Sequence, residues 1–195
     1  MSALELAGAP VVAAYAAWAG SYDDVPNATR DAEAAAVRAW VEAGVVRSAG
    51  ARVLELGAGT GKNTVLWAAA AESVVACDAT GAMLARARTR LADASHITFA
   101  EFDMCVSEWP LPRDELFDLA ACSLVLEHIG SLEPLFAQVA ARLRPGGCFY
   151  VGELHPHRQY ANKQVCRRAP QECAARVALN KFSQIVRNFF FLCAC

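Results

Sequence analysis

The sequence has no C-x-x-C pair among its eight cysteines, no apolar run long enough to cross a bilayer, and no excess of positive charge before residue 161. Each lack removes a class of function. Cysteines at 77, 105, 122, 148, 166, 173, 193 and 195 without paired spacing argue against a zinc site or a disulfide framework. Four of them lie in or beside apolar strand-like runs, which reads as buried reduced thiols in a reducing compartment. The first twenty residues are apolar, yet they contain Glu5 and Pro10 and open without a basic cluster, so a secretory signal is not expected and a cytoplasmic location is. With no span of bilayer length, no membrane-spanning segment is expected either. Residues 1–160 carry 12 Lys/Arg against 19 Asp/Glu, net −7, and offer no basic surface for nucleic acid. Residues 161–195 carry 6 against 1, net +5, so composition breaks near Ala161.

What remains is a 195-residue chain, long enough for one domain with a full core and short for two. Its most informative stretch runs from Val53 to Thr64, VLELGAGTGKNT. Val53, Leu54 and Leu56 read as a buried strand. Gly57, Gly59 and Gly61 then allow a sharp turn and close approach of backbone to a ligand, and a helix is expected from about Thr60 to Ala71. Free amides at such a helix start favour a negatively charged ligand group.

Spacing separates the families that use this device. A phosphate-cradling loop requires glycine five residues before Gly61 and Ser or Thr after Lys62, but Leu56 and Asn63 stand there. A dinucleotide fingerprint requires G-x-G-x-x-G, whereas the third glycine here comes one residue early and Lys62 takes its place. A nicotinamide oxidoreductase is therefore disfavoured. The E-x-G-x-G-x-G pattern of Glu55, Gly57, Gly59 and Gly61 resembles the first motif of the class I S-adenosylmethionine-dependent methyltransferases of small-molecule type, similar to methyltransferase types 11 and 12.

The residues that follow extend both readings. Ser73–Cys77 is a second apolar run ending in Asp78, 21 residues after Gly57, where an acid accepts the hydroxyl protons of a ribose in a doubly wound fold. Thr80 is placed to cap a helix reaching about Leu91. A third strand, Ile97–Phe102, leads into Asp103-Met104. By the resemblance, Met83 lies under an adenine, Asp103 takes the adenine amino hydrogen, and the amide of Met104 addresses the ring. Phe117-Asp118 opens a fourth apolar run containing Ser123, which resembles the family's fourth-strand motif, followed by Leu126-Glu127-His128-Ile129. A helix Leu132–Leu143 capped by Ser131 then meets Arg144-Pro145-Gly146-Gly147, similar to the family's turn before a fifth strand, Cys148–Leu154.

Before the first strand, a helix over Ala3–Gly20 is expected to break at Pro10, and a second begins after Asn27 with Ala32, Ala35, Ala36, Ala39, Trp40 and Ala43 as its packing face. Tyr15-x-x-Trp18-x-x-x-Tyr22-Asp23 resembles the aromatic element that covers the cofactor in many small-molecule methyltransferases. The resemblance runs from about Tyr15 to Tyr160.

Together these features predict an α/β, Rossmann-like doubly wound fold, mainly parallel, with helices on both faces and the family's final antiparallel hairpin missing or incomplete. Three regions are expected: an N-terminal helical lid or substrate segment (1–48), a cofactor-binding core (49–160), and a divergent basic tail (161–195) with a helix over Gln171–Arg187. Residues 189–195 are too few for two strands, so the fifth strand is expected to be an open edge available to a second copy or a partner.

The implied reaction moves a methyl group from S-adenosylmethionine, yielding S-adenosylhomocysteine, to a small-molecule acceptor, without a metal. The expected cofactor residues are Tyr22, Glu55, Gly57, Ala58, Gly59, Gly61, Asp78, Met83, Asp103, Met104 and Ser123, with the turn's amides facing the cofactor's carboxylate. His128 and His155 would follow the carboxyl ends of parallel strands and are candidates to accept a proton. A non-catalytic homologue that binds the cofactor and acts through a partner fits the same motifs.

Overall fold

The computed structural model describes residues 3–44, 50–106, 108–153 and 191–192, the first eight and the last two of these by their backbone alone. Five parallel strands form the centre: β1 (Arg52–Leu56), β2 (Ser73–Asp78), β3 (Ile97–Glu101), β4 (Phe117–Ser123) and β5 (Leu143–Gly152). A two-residue β6 (Phe191–Leu192) runs antiparallel beside β5, and the order is β3-β2-β1-β4-β5-β6. Chain direction along the sheet therefore reverses between β1 and β4, the signature of a doubly wound sheet.

Successive residues of a strand point to opposite faces, so β1 feeds two cores at once. Leu54 and Leu56 join Ala120, Cys122 and Phe149 on one face, sealed by Leu135 and Val139 of helix α5 (Glu133–Ala140). Val53 joins Val74, Leu119 and Tyr150 on the other. That second face is closed by Val37 of α2 (Ala28–Glu42), Trp67 of α3 (Thr64–Ala68) and Leu84 of α4 (Gly81–Arg90). α1 (Ala3–Trp18) precedes them.

Several boundaries differ from those the sequence predicts. α1 runs unbroken through Pro10, whose fixed φ is itself helical, so the proline removes one backbone donor without ending the helix. α2 buries Glu33 and Val37 and half-buries Trp40 and Val41, while Ala32, Ala35, Ala39 and Ala43 are exposed. Alanine is a good helix former on any face, so its spacing carried little information, and the larger Val37 gains more by burial. α3 begins at Thr64 rather than Thr60, because Gly57, Gly59 and Gly61 all hold positive φ (75°, 55° and 80°) and the chain turns helical only beyond them.

At α5, Ser131 donates its hydroxyl to Glu133 at 2.6 Å instead of capping the helix, which begins one residue after the expected start and ends at Ala140. Leu143 already belongs to β5: it pairs with Phe117, and Cys148 pairs with Leu119, so Arg144–Gly147 bow out as an irregularity within the strand. β5 is not an open edge over its whole length, since Phe149 and Tyr150 pair with Leu192 and Phe191. The expected helix over 171–187 and the composition break at Ala161 lie outside the described residues.

Leu54 is wholly buried at the centre of the sheet. Leu54→Ala is expected to cost about 2–5 kcal/mol of stability, read as a lower urea midpoint with an unchanged slope.

Candidate functional site

Where the direction of chain progression reverses, the loops after β1 and β4 part and leave a crevice at the carboxyl ends of the strands. One cleft occupies that place. The turn Gly57–Gly59 after β1, Asp78–Thr80 after β2, Asp103–Cys105 after β3 and Ser123–Val125 after β4 all line it, and Tyr15 of α1, Tyr22 of the turn that follows, and Arg30 and Glu33 of α2 close it. The structure thus brings together Tyr22, Glu55, Gly57, Ala58, Gly59, Asp78, Met83, Asp103, Met104, Ser123 and His128. His155 lies outside the described residues.

Gly61 is the exception among the predicted residues. It does not line the cleft; a Cβ there would stand 3.1 Å from Cβ of Ala87 and 3.3 Å from Leu91, so its role is to let the turn pack against α4. Gly57 faces the other way: a Cβ would come 2.2 Å from Cγ2 of Val125, so the β1 and β4 loops touch across the crevice. At Gly59 a Cβ would meet nothing within 4 Å.

Four amides of the turn have partners within the protein. Gly57 and Ala58 both donate to the Cys77 carbonyl, at 2.8 and 2.9 Å, Gly59 donates to Oδ2 of Asp78 at 2.8 Å, and Gly61 donates to the Ala58 carbonyl. These amides are expected to face a carboxylate; in this structure the end of β2 takes those of 57, 58 and 59. Asp78 accepts a second amide, from Thr80 to Oδ1 at 2.8 Å. Burial raises its carboxyl above the usual range, and the two amide bonds oppose that rise. Asp103 accepts the Cys105 amide at 2.8 Å.

After β4 the chain is held in an uncommon conformation. Leu124 has φ 56°, sparsely populated for a residue with a side chain. Its amide donates to Gly152, and the next two amides, of Val125 and Leu126, both donate to Oε1 of Glu153 at 2.7 Å. A short 3₁₀ turn, Leu126–His128, follows. There Nε2 of His128 shares a 3.0 Å hydrogen bond with the hydroxyl of Tyr15, whose phenol burial pushes up to about 12.

The N-terminal segment is tied down by charge. Asp23 accepts from Thr60 at 3.0 Å and from Arg90 at 2.6 Å, joining that segment to the glycine turn and to α4. Arg30 stacks over Tyr22 at 4.1 Å and donates to the carbonyls of Tyr22 and Val25. Trp18 meets Tyr22 edge-on at 4.7 Å.

Besides Asp78, the lining Glu33 and Glu55, and Glu153 behind the β4 loop, have depressed acidity. Glu55 accepts from the Thr64 hydroxyl at 2.5 Å, and burial lifts it to about 8; Glu153 is lifted to about 8 for the same reason. Glu33 accepts from Ser123 at 2.8 Å and Tyr150 at 2.9 Å, and burial raises it as well. Sequence reasoning missed Arg30, Glu33 and Glu153. Arg30 and Glu33 stand three residues apart just after the capping Asn27, a spacing that places them on one helix face and could have flagged them. Among the described residues no cluster of His, Cys, Asp and Glu is arranged to hold a metal ion.

A family described as a methyltransferase domain matches residues 53–147. The demethylmenaquinone methyltransferase of Tropheryma whipplei (strain Twist) is 32% identical over 112 residues, covering 57% of this chain and 45% of that protein. The chain spans about half the length of the curated relatives it matches. An S-adenosylmethionine-dependent methyltransferase from Mesorhizobium loti superposes with a TM-score of 0.53 at 33% identity, over 60% of this chain and 52% of that one. A DhpI–SAH complex superposes with a TM-score of 0.62 at 26% identity, over 75% and 69%.

The raised acids make stability depend on pH. Folded Glu55 and Glu153 keep their protons to about pH 8, whereas an ordinary glutamate releases its proton near 4.5. Their contribution is complete below that ordinary value and is lost as pH rises towards 8. Urea midpoints should therefore fall between pH 5 and pH 8, and Glu55→Gln, which cannot titrate, should make the fall shallower.

Proposed function

The chain carries a methyltransferase domain of the class I, S-adenosylmethionine-dependent type, and from that premise we propose that it moves the methyl group of S-adenosylmethionine to a small-molecule acceptor. The observation that carries this reading is the meeting of Asp78 and Asp103, from the ends of two successive strands, with the glycine turn in one crevice under a roof of Tyr15 and Tyr22.

The residues present fit an adenosyl cofactor. Asp78 has one amide on each carboxylate oxygen and so retains acceptor capacity for the two neighbouring hydroxyls of a ribose. Asp103 has the same spare capacity for an adenine amino group, with the apolar Met83 and Met104 against the ring. Gly57, Ala58 and Gly59 bring backbone to the cleft, with open space beside Gly59, Ser123 lines the opposite loop, and Glu55 bonds Thr64 at the start of α3. With the amides of Gly57, Ala58, Gly59 and Gly61 bonded within the protein, we assign the cofactor's carboxylate to Arg30, whose buried Nε has no hydrogen-bond partner among the described residues.

The cofactor supplies an already activated methyl group on a cationic sulfur. The protein's part is to orient the acceptor and keep water out, and alignment of two bound reactants is worth about 7–11 kcal/mol of barrier. Where the acceptor loses a proton, His128, bonded to Tyr15, is the candidate to receive it. In this reading residues 1–48 form the lid and acceptor side, 49–160 the cofactor core, and 161–195 a separate tail.

Titration calorimetry with S-adenosylhomocysteine tests the reading directly. Saturable binding by the folded chain is expected, weakened at least tenfold by Asp78→Ala; no heat up to high micromolar ligand would overturn it.

A further inference from the structure

Two of the buried polar atoms that lack a partner among the described residues belong to side chains that line the cleft: Nε of Arg30, a donor, and Oε2 of Glu33, an acceptor. They are opposite in charge and sit three residues apart on α2, which places them side by side on one face of the helix. Glu33 is only 3% exposed.

The surroundings of Glu33 are built rather than incidental. Its Oε1 is satisfied twice, by the Ser123 hydroxyl at 2.8 Å and the Tyr150 hydroxyl at 2.9 Å. The carboxylate also fills space that a side chain on β5 would take, since a Cβ at Gly152 would come within 2 Å of Oε1. An acid packed so closely, with one oxygen doubly bonded and the other bare, leaves a full unit of acceptor capacity next to the crevice. An unpaired buried carboxylate oxygen is costly unless a donor completes it. The charged groups near it are Arg30, one helical step away on α2, and Glu153 after β5, whose carboxyl burial keeps protonated.

We propose that Glu33 is the binding residue for the α-ammonium of the cofactor's methionine end, acting with Arg30 on the adjacent carboxylate, so that one face of α2 reads the amino-acid zwitterion. This rests on the cofactor assignment made above. Two charges separated by a single carbon need two complementary charges one helical step apart, and α2 presents that pair. Specificity for the amino-acid end then comes from a helix that precedes the residues matched by the methyltransferase family, while the strand ends handle the nucleoside.

The test compares S-adenosylhomocysteine with 5′-methylthioadenosine, which keeps the adenosine and the thioether but lacks the amino-acid end. In calorimetry, Glu33→Gln should weaken S-adenosylhomocysteine at least tenfold and leave 5′-methylthioadenosine within twofold. Tyr150→Phe removes a bond to Oε1 but leaves Oε2 in place, and it should spare the discrimination between the two ligands, which separates binding from packing. Since burial favours the protonated acid and an ammonium favours the ionised one, binding of S-adenosylhomocysteine should release protons, seen as a buffer-dependent heat that Glu33→Gln diminishes. Equal losses for both ligands in Glu33→Gln, or none, would overturn the assignment while leaving the cofactor reading intact. Failure of the unaltered chain to bind either ligand would overturn both.

Discussion

The end of β2 sets the geometry of the whole crevice. The Cys77 carbonyl gathers two consecutive amides of the glycine turn, and the Asp78 carboxylate gathers a third, so the turn after β1 is folded onto its neighbouring strand before any ligand arrives. Three glycines at positive φ make that path available, and hydrogen bonds to β2 select it. The arrangement has a chemical result. A turn that spends most of its donors internally contributes shape, and in the proposed reading charge recognition falls to side chains on α2.

On the other side of the crevice the same logic recurs with different parts. The loop after β4 is held at Leu124 by Gly152 and at the next two residues by Glu153. Both supports come from β5 or just beyond it. The two walls of the cleft are thus each fixed by the adjacent outer strand, and they meet where Gly57 abuts Val125.

The parts of this site that were legible in the sequence are those tied to strand ends. Asp78, Asp103 and the glycine turn follow short apolar runs, and a parallel sheet delivers all such positions to one edge. The parts that were not legible depend on tertiary pairing. Glu33 sits in an alanine-rich helix where its charge suggests solvent, and only the hydroxyls of Ser123 and Tyr150, 90 and 117 residues away, make its burial tolerable. The early end of α5 escaped for a related reason: Leu143 continues the helical spacing, but pairing with Phe117 draws it into the sheet. The motif places Gly61 among ligand contacts, whereas its neighbours are Ala87 and Leu91.

The contact between Gly57 and Val125 links the histories of the two positions. While valine stands at 125, no side chain larger than hydrogen fits at 57, and the positive φ at 57 disfavours one besides. A smaller residue at 125 would have to come first, and even then only the steric part of the barrier would lift. Drift at the first loop is therefore hostage to the second, and the order in which substitutions can accumulate across the crevice is constrained although the two residues lie 68 positions apart in the chain.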